Sequence, residues 1–375
     1  MQDFFAFSKK IMETNDTIRE VLRAFGLDVE AKPFGSGHIN TTYLVKSEPR
    51  CVLQKINTSI FRDPDGVMNN IFAVTEHLRK KILAAGGDPA KGTLTFLPTV
   101  TGEKYFRAPN GDCFRLYRFV EDLVSYDIAD TPEKFAASAH AFGKFQKMLA
   151  DFPSDQLAET IPHFHDTGDR LRQFKEAVAQ DQSGRAASVQ AEIDFVLARE
   201  KDTPVVTDAI ADGSVPLRVT HNDTKLNNVL LDPETEEGVC VIDLDTVMPG
   251  SLLYDYGDSL RFGASTGAED EQDLSKISFD LTYFEAYTDA FLCELGESIT
   301  PREIELLPFS AKLLTLECGM RFLADHINGD VYFRIHRENH NLDRARTQFK
   351  LVAEIEEKMA EMTAIVEKIC KKYGI

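Results

Sequence analysis

Val219-Thr-His-Asn-Asp-Thr-Lys-Leu-Asn-Asn-Val-Leu230 is the stretch from which the fold is read. His221 and Asp223 are followed, five positions after the Asp, by Asn228, and thirteen positions beyond that by the apolar run Val241-Ile-Asp-Leu-Asp245. This is the order of parts that phosphoryl transfer to a hydroxyl requires: a carboxylate to take the acceptor's proton, an amide oxygen for Mg²⁺, and a strand-borne Asp for the same metal. Mg²⁺ is a hard cation that takes oxygen ligands, which Asn228 and Asp243 offer. Asp223 is then the catalytic base, and His221 braces the loop backbone. An H-x-D alone is common, so the spacing to Asn228 and the I-D on a strand-like run carry the weight. The plain alternative is a surface turn over 221–224 leading into a buried strand capped by Asp243.

Outward from this motif the chain changes character. On its N-terminal side, Pro33-Phe-Gly-Ser-Gly-His-Ile-Asn40 precedes Thr41-Thr-Tyr-Leu-Val45 and Cys51-Val-Leu-Gln-Lys-Ile56, two β-type runs around the turn Ser47-Glu-Pro-Arg50. Residues 13–27 form an amphipathic helix pattern (Ile18, Val21, Leu22, Phe25) stopped by Gly26, and 67–85 form a second. Runs from Leu94 to Val100 and at Tyr105-Phe106 read as strands joined by Thr101-Gly102, and 112–120 as a further strand. From Pro132 onward the pattern is mostly helical. In the last helix Val352, Ile355, Met359, Met362, Val366 and Ile369 recur at spacings of three and four, a core-facing stripe. The pattern predicts an α+β, bilobal chain: a β-rich lobe over 1–118, a hinge over 119–122 and a mainly helical lobe over 123–375. A length of 375 residues also exceeds one compact core.

Composition narrows the class. Forty-three per cent hydrophobic and 27% charged residues fit a globular protein in water, and no apolar run approaches a membrane span. The N-terminus lacks the basic and long apolar regions of a signal peptide. Six scattered cysteines with no C-x-x-C pair predict buried free thiols and a cytoplasmic location. A net charge of −19 argues against nucleic acid and anionic membranes as partners and leaves room for a cationic substrate. The expected assembly is a monomer or weak homodimer.

Other candidates follow from chemistry and position. Gly35, Ser36 and Gly37 can bring backbone N–H groups close to phosphates, with His38 and Asn40 at the mouth of the cleft. Backbone groups of Phe119 and Val120 can meet an adenine. A phosphate-neutralising lysine is expected on the third strand, but Gln54 occupies its place in Val52-Leu-Gln and Lys55 comes one residue late. One residue along a strand reverses the face, so either Gln54 meets the nucleotide or a bulge restores Lys55. Glu76 is the possible partner of that lysine. Asp255 or Asp258 could brace the catalytic loop. Arg321, Tyr332 and the Asp residues around Asn328-Gly329 suit a polyhydroxy ligand, although a bare helix–turn–helix reads the same.

At these residues the chain resembles the aminoglycoside phosphotransferase/choline kinase group, which has the bilobal protein-kinase-like fold. More narrowly, Gly35-Ser-Gly-His-Ile-Asn40, Val241-Ile-Asp-Leu-Asp-Thr-Val-Met-Pro-Gly250 and 321–333 look like bacterial N-acetylhexosamine 1-kinases. The resemblance implies ATP and Mg²⁺ as cofactors and a small sugar, N-acetylglucosamine or N-acetylgalactosamine, phosphorylated at its anomeric hydroxyl. Asp223 would meet that hydroxyl, Asn228 and Asp243 would hold Mg²⁺, and His38, Arg321 and Tyr332 would contact the sugar. Gln54 is shared with that subgroup.

Overall fold

A computed structural model describes residues 16–35 and 39–375. They divide into two compact units: residues up to Leu123 with Leu157–Thr160, and Val124–Gln156 with Ile161–Ile375. The short return at Leu157–Thr160, which the sequence boundary assigns to the second lobe, is tied into the first unit by Asn70. Its Nδ2 donates to the Ala158 carbonyl at 2.7 Å, and its Oδ1 accepts the Ala158 N–H at 2.9 Å.

The first unit is built on period-two patterning. A helix over 16–24 (α1) precedes strands β1 (Ala31–Pro33), β2 (Thr41–Val45) and β3 (Cys51–Ile56). Helix α2 (Pro64–Ala84) and the single-turn α3 (Pro89–Gly92) follow, then β4 (Phe96–Leu97), β5 (Phe106–Arg107) and β6 (Cys113–Arg118). The sheet order is β1-β2-β3-β6-β4, all antiparallel, with β5 also on β6. Leu53, Val45, Phe114 and Leu116 pack with Ile18, Val21 and Leu22 of α1. The alternation then sends Val52, Gln54, Arg115 and Tyr117 to the other face, where Phe96 meets both Tyr117 and Phe72 of α2. Helix α2 starts three residues before the expected 67, because Asp63 caps Gly66 N–H (3.0 Å) and Pro64 suits the first turn.

The two runs around Thr101-Gly102 do not pair with each other. β4 lies against Leu116 and Tyr117, and β5 against Cys113 and Phe114. The intervening turn does form (Thr99 N–H to Glu103 O, 2.8 Å), but the chain then runs on along the same free edge of β6. The longer strand offers a complete ladder that the two short runs cannot offer each other.

The second unit contains α4 (Pro132–Met148), α5 (Thr167–Gln180), α6 (Gln190–Leu197), α7 (Val205–Ala211), α8 (Leu252–Gly263), α9 (Leu281–Leu295), α10 (Pro301–Ile327) and α11 (His340–Tyr373). Two antiparallel pairs lie among them: β7 (Arg218–Thr220) with β10 (Met248–Gly250), and β8 (Val229–Leu231) with β9 (Gly238–Val241). Helix α10 opens with a capping box between Thr300 and Glu303. It packs on α11 so closely that a Cβ on Gly319 would stand 2.6 Å from Phe349. The predicted stripe of α11 is buried at Val352, Ile355, Met362, Val366 and Ile369, with Met359 half-buried. Four of the six cysteines are buried as expected, Cys318 is half-buried, and Cys293 is exposed.

Candidate active site

The candidate catalytic loop joins β7 to β8, and its shape is set from beneath. Asn222 stands in the left-handed region (φ 65°), a conformation an Asn tolerates better than most residues. The turn is held by Asp255, a fully buried carboxylate on α8, which accepts the N–H groups of His221 (2.9 Å) and Asn222 (2.7 Å) and the Gln146 amide (2.5 Å). Burial raises the Asp255 carboxyl, and His221 and these donors pull against that rise. Asp258, one turn on, accepts the Thr224 N–H at 3.3 Å. Burial also works against its charge, but Arg261 (3.0 Å) and Lys225 outweigh it and hold the carboxyl below the ordinary range. Both carboxylates therefore brace the loop.

His221 is a brace as well. Its Nδ1 accepts the Asp223 N–H (3.3 Å), so its Nε2–H donates to the Ile242 carbonyl (2.8 Å). Its ring is wholly buried against Phe142 and Phe145, which leaves it no path to a substrate.

Asp223 faces outward from this frame. Asn228 Nδ2 donates to its backbone carbonyl (2.8 Å) and to its Oδ2 (3.1 Å), while Lys225 Nζ lies 3.0 Å from its Oδ1. The adjacent carboxylate raises the Lys225 ammonium, which therefore stays charged. Register brings the second metal candidate close. Val229 faces Val241, and the Ile242 N–H donates to the Asn228 carbonyl at 2.9 Å, so Asp243 follows at the same end of the hairpin. Asp243 also has positive φ (58°), a sparsely populated conformation for a non-glycine residue and one that recurs at functional sites.

A second group of residues adjoins this loop. His165 Nε2 donates to the Asn222 carbonyl (3.3 Å), and its Nδ1 meets Glu317 of α10 (2.8 Å), which also accepts the Thr167 hydroxyl (2.6 Å). One turn further on α10, the Arg321 guanidinium lies within cation–π range of two rings, those of Phe164 (5.9 Å) and Phe333 (5.5 Å). Tyr332 is 65% exposed and stands edge-on to Phe333. Buried Asp325 shapes the loop that carries them: its carboxylate accepts the N–H groups of Val331, Tyr332 and Phe333 at 2.8–3.0 Å and the Asn341 amide. The 321–333 cluster is thus the end of α10 followed by a turn and an irregular loop that runs on to α11 at His340, and it holds Arg321 and Tyr332 in one neighbourhood. Phe164, His165, Glu317 and Lys225 were not singled out in the sequence. Only the H-x-D-x-K spacing could have drawn attention to Lys225.

In the first unit Gly35 has φ 78° with open space around its Cα, while Ser36, Gly37 and His38 lie outside the described residues. Asn40 accepts the Asn57 N–H (3.0 Å), so its carbonyl helps fix the chain beyond β3. The β3–β6 register runs unbroken from Cys51↔Arg118 to Ile56↔Cys113. No bulge restores Lys55, which lies on the α1 face and pairs with Asp112 (2.6 Å). Gln54 keeps the lysine's place on the opposite face. Glu76 is exposed and lies 3.6 Å from Lys80 on its own helix. Phe119 donates its N–H to the Arg50 carbonyl (3.0 Å) and its ring lies under the Arg50 guanidinium, so of its two backbone groups the carbonyl is the one left for a ligand. Val120, the next residue, is buried.

Residues 30–292 match the phosphotransferase enzyme family. The chain belongs to that family. Similar solved structures agree on the fold of this phosphotransferase. A microcompartment-associated aminopropanol kinase superposes with a TM-score of 0.63 at 15% identity, covering 92% of this chain and 98% of its own. An aminoglycoside phosphotransferase from Alicyclobacillus acidocaldarius gives 0.60 at 13%, covering 94% and 96%. A choline/ethanolamine kinase family protein from Mesorhizobium loti gives 0.56 at 16%, covering 96% and 99%. The phosphotransferase thus has the kinase-like fold, with a sheet-based N-terminal unit and a mostly helical C-terminal one. Among its described residues no helix is long and apolar enough to cross a membrane.

Proposed function

We propose that the phosphotransferase moves the γ-phosphate of ATP to the anomeric hydroxyl of an N-acetylhexosamine, giving the sugar 1-phosphate. The observation that carries this reading is the chemistry of the group that adjoins the Asp223 loop through His165. Arg321 offers donors beside two aromatic rings, and Tyr332 stands edge-on to one of them, Phe333. Apolar faces with a fixed donor fit a neutral polyhydroxy ring, and a guanidinium opposes a cationic amine.

Asp223 orients the hydroxyl and takes its proton as the oxygen attacks phosphorus; the bond to the leaving nucleotide oxygen breaks in line. Lys225 offsets the charge on Asp223 and can balance charge on the phosphoryl oxygens. The residues present fit Mg²⁺: because Asn228 spends its nitrogen on Asp223, its oxygen would be the coordinating atom, and Asp243 would add a hard carboxylate. Mg²⁺ bound there would supply neutralisation of phosphate charge.

A cationic small alcohol is the second reading, favoured by the net charge of −19. The test is ADP release by purified protein with Mg-ATP and a panel of N-acetylhexosamines, choline, aminopropanol and aminoglycosides. Turnover with an amino alcohol but with no N-acetylhexosamine would overturn the proposal.

A further inference from the structure

The kinase pattern asks for a cation on β3 behind the nucleotide phosphates, and β3 has none on that face. The neighbouring strand has one. Arg115 of β6 is directly opposite Gln54 in the register, and only 2% of it is exposed. Its Nε and Nη2 both donate to Gln54 Oε1, at 3.0 and 2.7 Å. Gln54 Nε2 in turn donates to the Thr42 hydroxyl on β2, at 3.1 Å.

A carboxamide has one accepting end and one donating end. Two guanidinium N–H groups fix which end is which, since the reverse orientation would set donors against donors. One Nε2–H serves Thr42, and among the described residues no acceptor takes the other. A neutral amide is thereby made an obligate donor with a full positive charge immediately behind it, a combination that selects for anions.

We propose that Arg115 is a positioning residue of the nucleotide site: it orients Gln54 as a phosphate-facing donor and supplies, across one strand, the positive charge that lysine supplies elsewhere. The inference rests on nucleotide use by this phosphotransferase and is independent of which acceptor it takes.

Calorimetry of the full chain with ATP and with adenosine, in the absence of any acceptor, tests it. Gln54→Leu and Arg115→Met should each bind ATP about tenfold or more weaker and adenosine unchanged. Gln54→Glu is the sharper variant. It keeps Arg115 partnered, so a purely structural pair would tolerate it, whereas a phosphate site would lose more ATP affinity than with leucine. Gln54→Lys combined with Arg115→Met should recover ATP affinity. Wild-type ATP affinity in Gln54→Glu, or parallel loss of ATP and adenosine in the folded variants, would overturn the proposal. Failure of the sugar assignment would leave all of these affinities unchanged. If Arg115→Met does not fold, the two single Gln54 variants decide the question alone.

Discussion

Asn228 turns its side-chain nitrogen onto Asp223, 2.8 Å from the backbone carbonyl and 3.1 Å from Oδ2. One amide therefore both holds the base in place and aims its own oxygen away from it. The proposed base and the proposed metal ligand are a coupled pair.

Removing the base without disturbing this frame should separate chemistry from binding. Asp223→Asn is expected to lower kcat by about 10²–10⁴-fold while nucleotide affinity stays the same. Steady-state rates with calorimetry on the same preparation check both. Near-normal turnover in this variant would remove Asp223 from its role.

The brace under the loop predicts a stability effect tied to activity. Asp255→Ala strands the His221 and Asn222 N–H groups in a buried place, at about 1–3 kcal/mol for each donor left unsatisfied. Urea unfolding should show the deficit, and kcat should fall in parallel because the loop that carries Asp223 loses its shape. A variant as stable as the parent would show that the loop holds itself.

The His165–Glu317 pair predicts a pH signature. Burial alone would push the imidazole down, but Glu317 outweighs burial and raises it above its ordinary 6.5. Burial would raise Glu317, but His165 and the Thr167 hydroxyl hold it below its ordinary 4.5. A raised imidazole contributes stability present below pH 6.5 and lost as pH climbs through its folded value; a lowered carboxyl contributes stability present above 4.5 and lost as pH falls. The stability cost of Glu317→Gln should therefore be largest between about pH 4.5 and 6.5 and shrink toward alkaline pH. Unfolding midpoints across a pH series read this directly, and a cost that does not vary with pH would count against the ion pair.

The acceptor loop predicts a split between the two substrates. Asp325→Ala frees three consecutive N–H groups that now set the positions of Tyr332 and Phe333. The expected result is a KM for the acceptor raised about tenfold or more, with the KM for ATP unchanged. Equal changes in both would point to general unfolding of the unit.

Lys55 makes a negative prediction. It is on the face opposite Gln54 and forms a half-exposed pair with Asp112, so Lys55→Ala should cost about 0–1 kcal/mol and leave kcat and ATP affinity as they are. A large loss of ATP affinity would restore Lys55 to the phosphate site.

Amino-acid order alone determined the two-part organisation, the amphipathic helices, and Asp223, Asn228 and Asp243 with their spacing. These are local properties. Asn228 and Asp243 flank one hairpin, where Val229 against Val241 sets the register, and Asp223 is tied to Asn228 five residues away, so sequence distance translates directly into space. The tertiary structure decided what lies further apart in the chain. Asp255 reaches the loop from 33 and 34 residues away, His165 from 57, and Glu317 reaches His165 across 152. Such contacts depend on how α4, α8 and α10 pack, which is a sum over many side-chain volumes and leaves no periodic trace. The choice between Gln54 and Lys55 was likewise tertiary. A period of two says that their faces differ, and only the unbroken pairing with β6 shows which face each one takes and sets Arg115 behind Gln54.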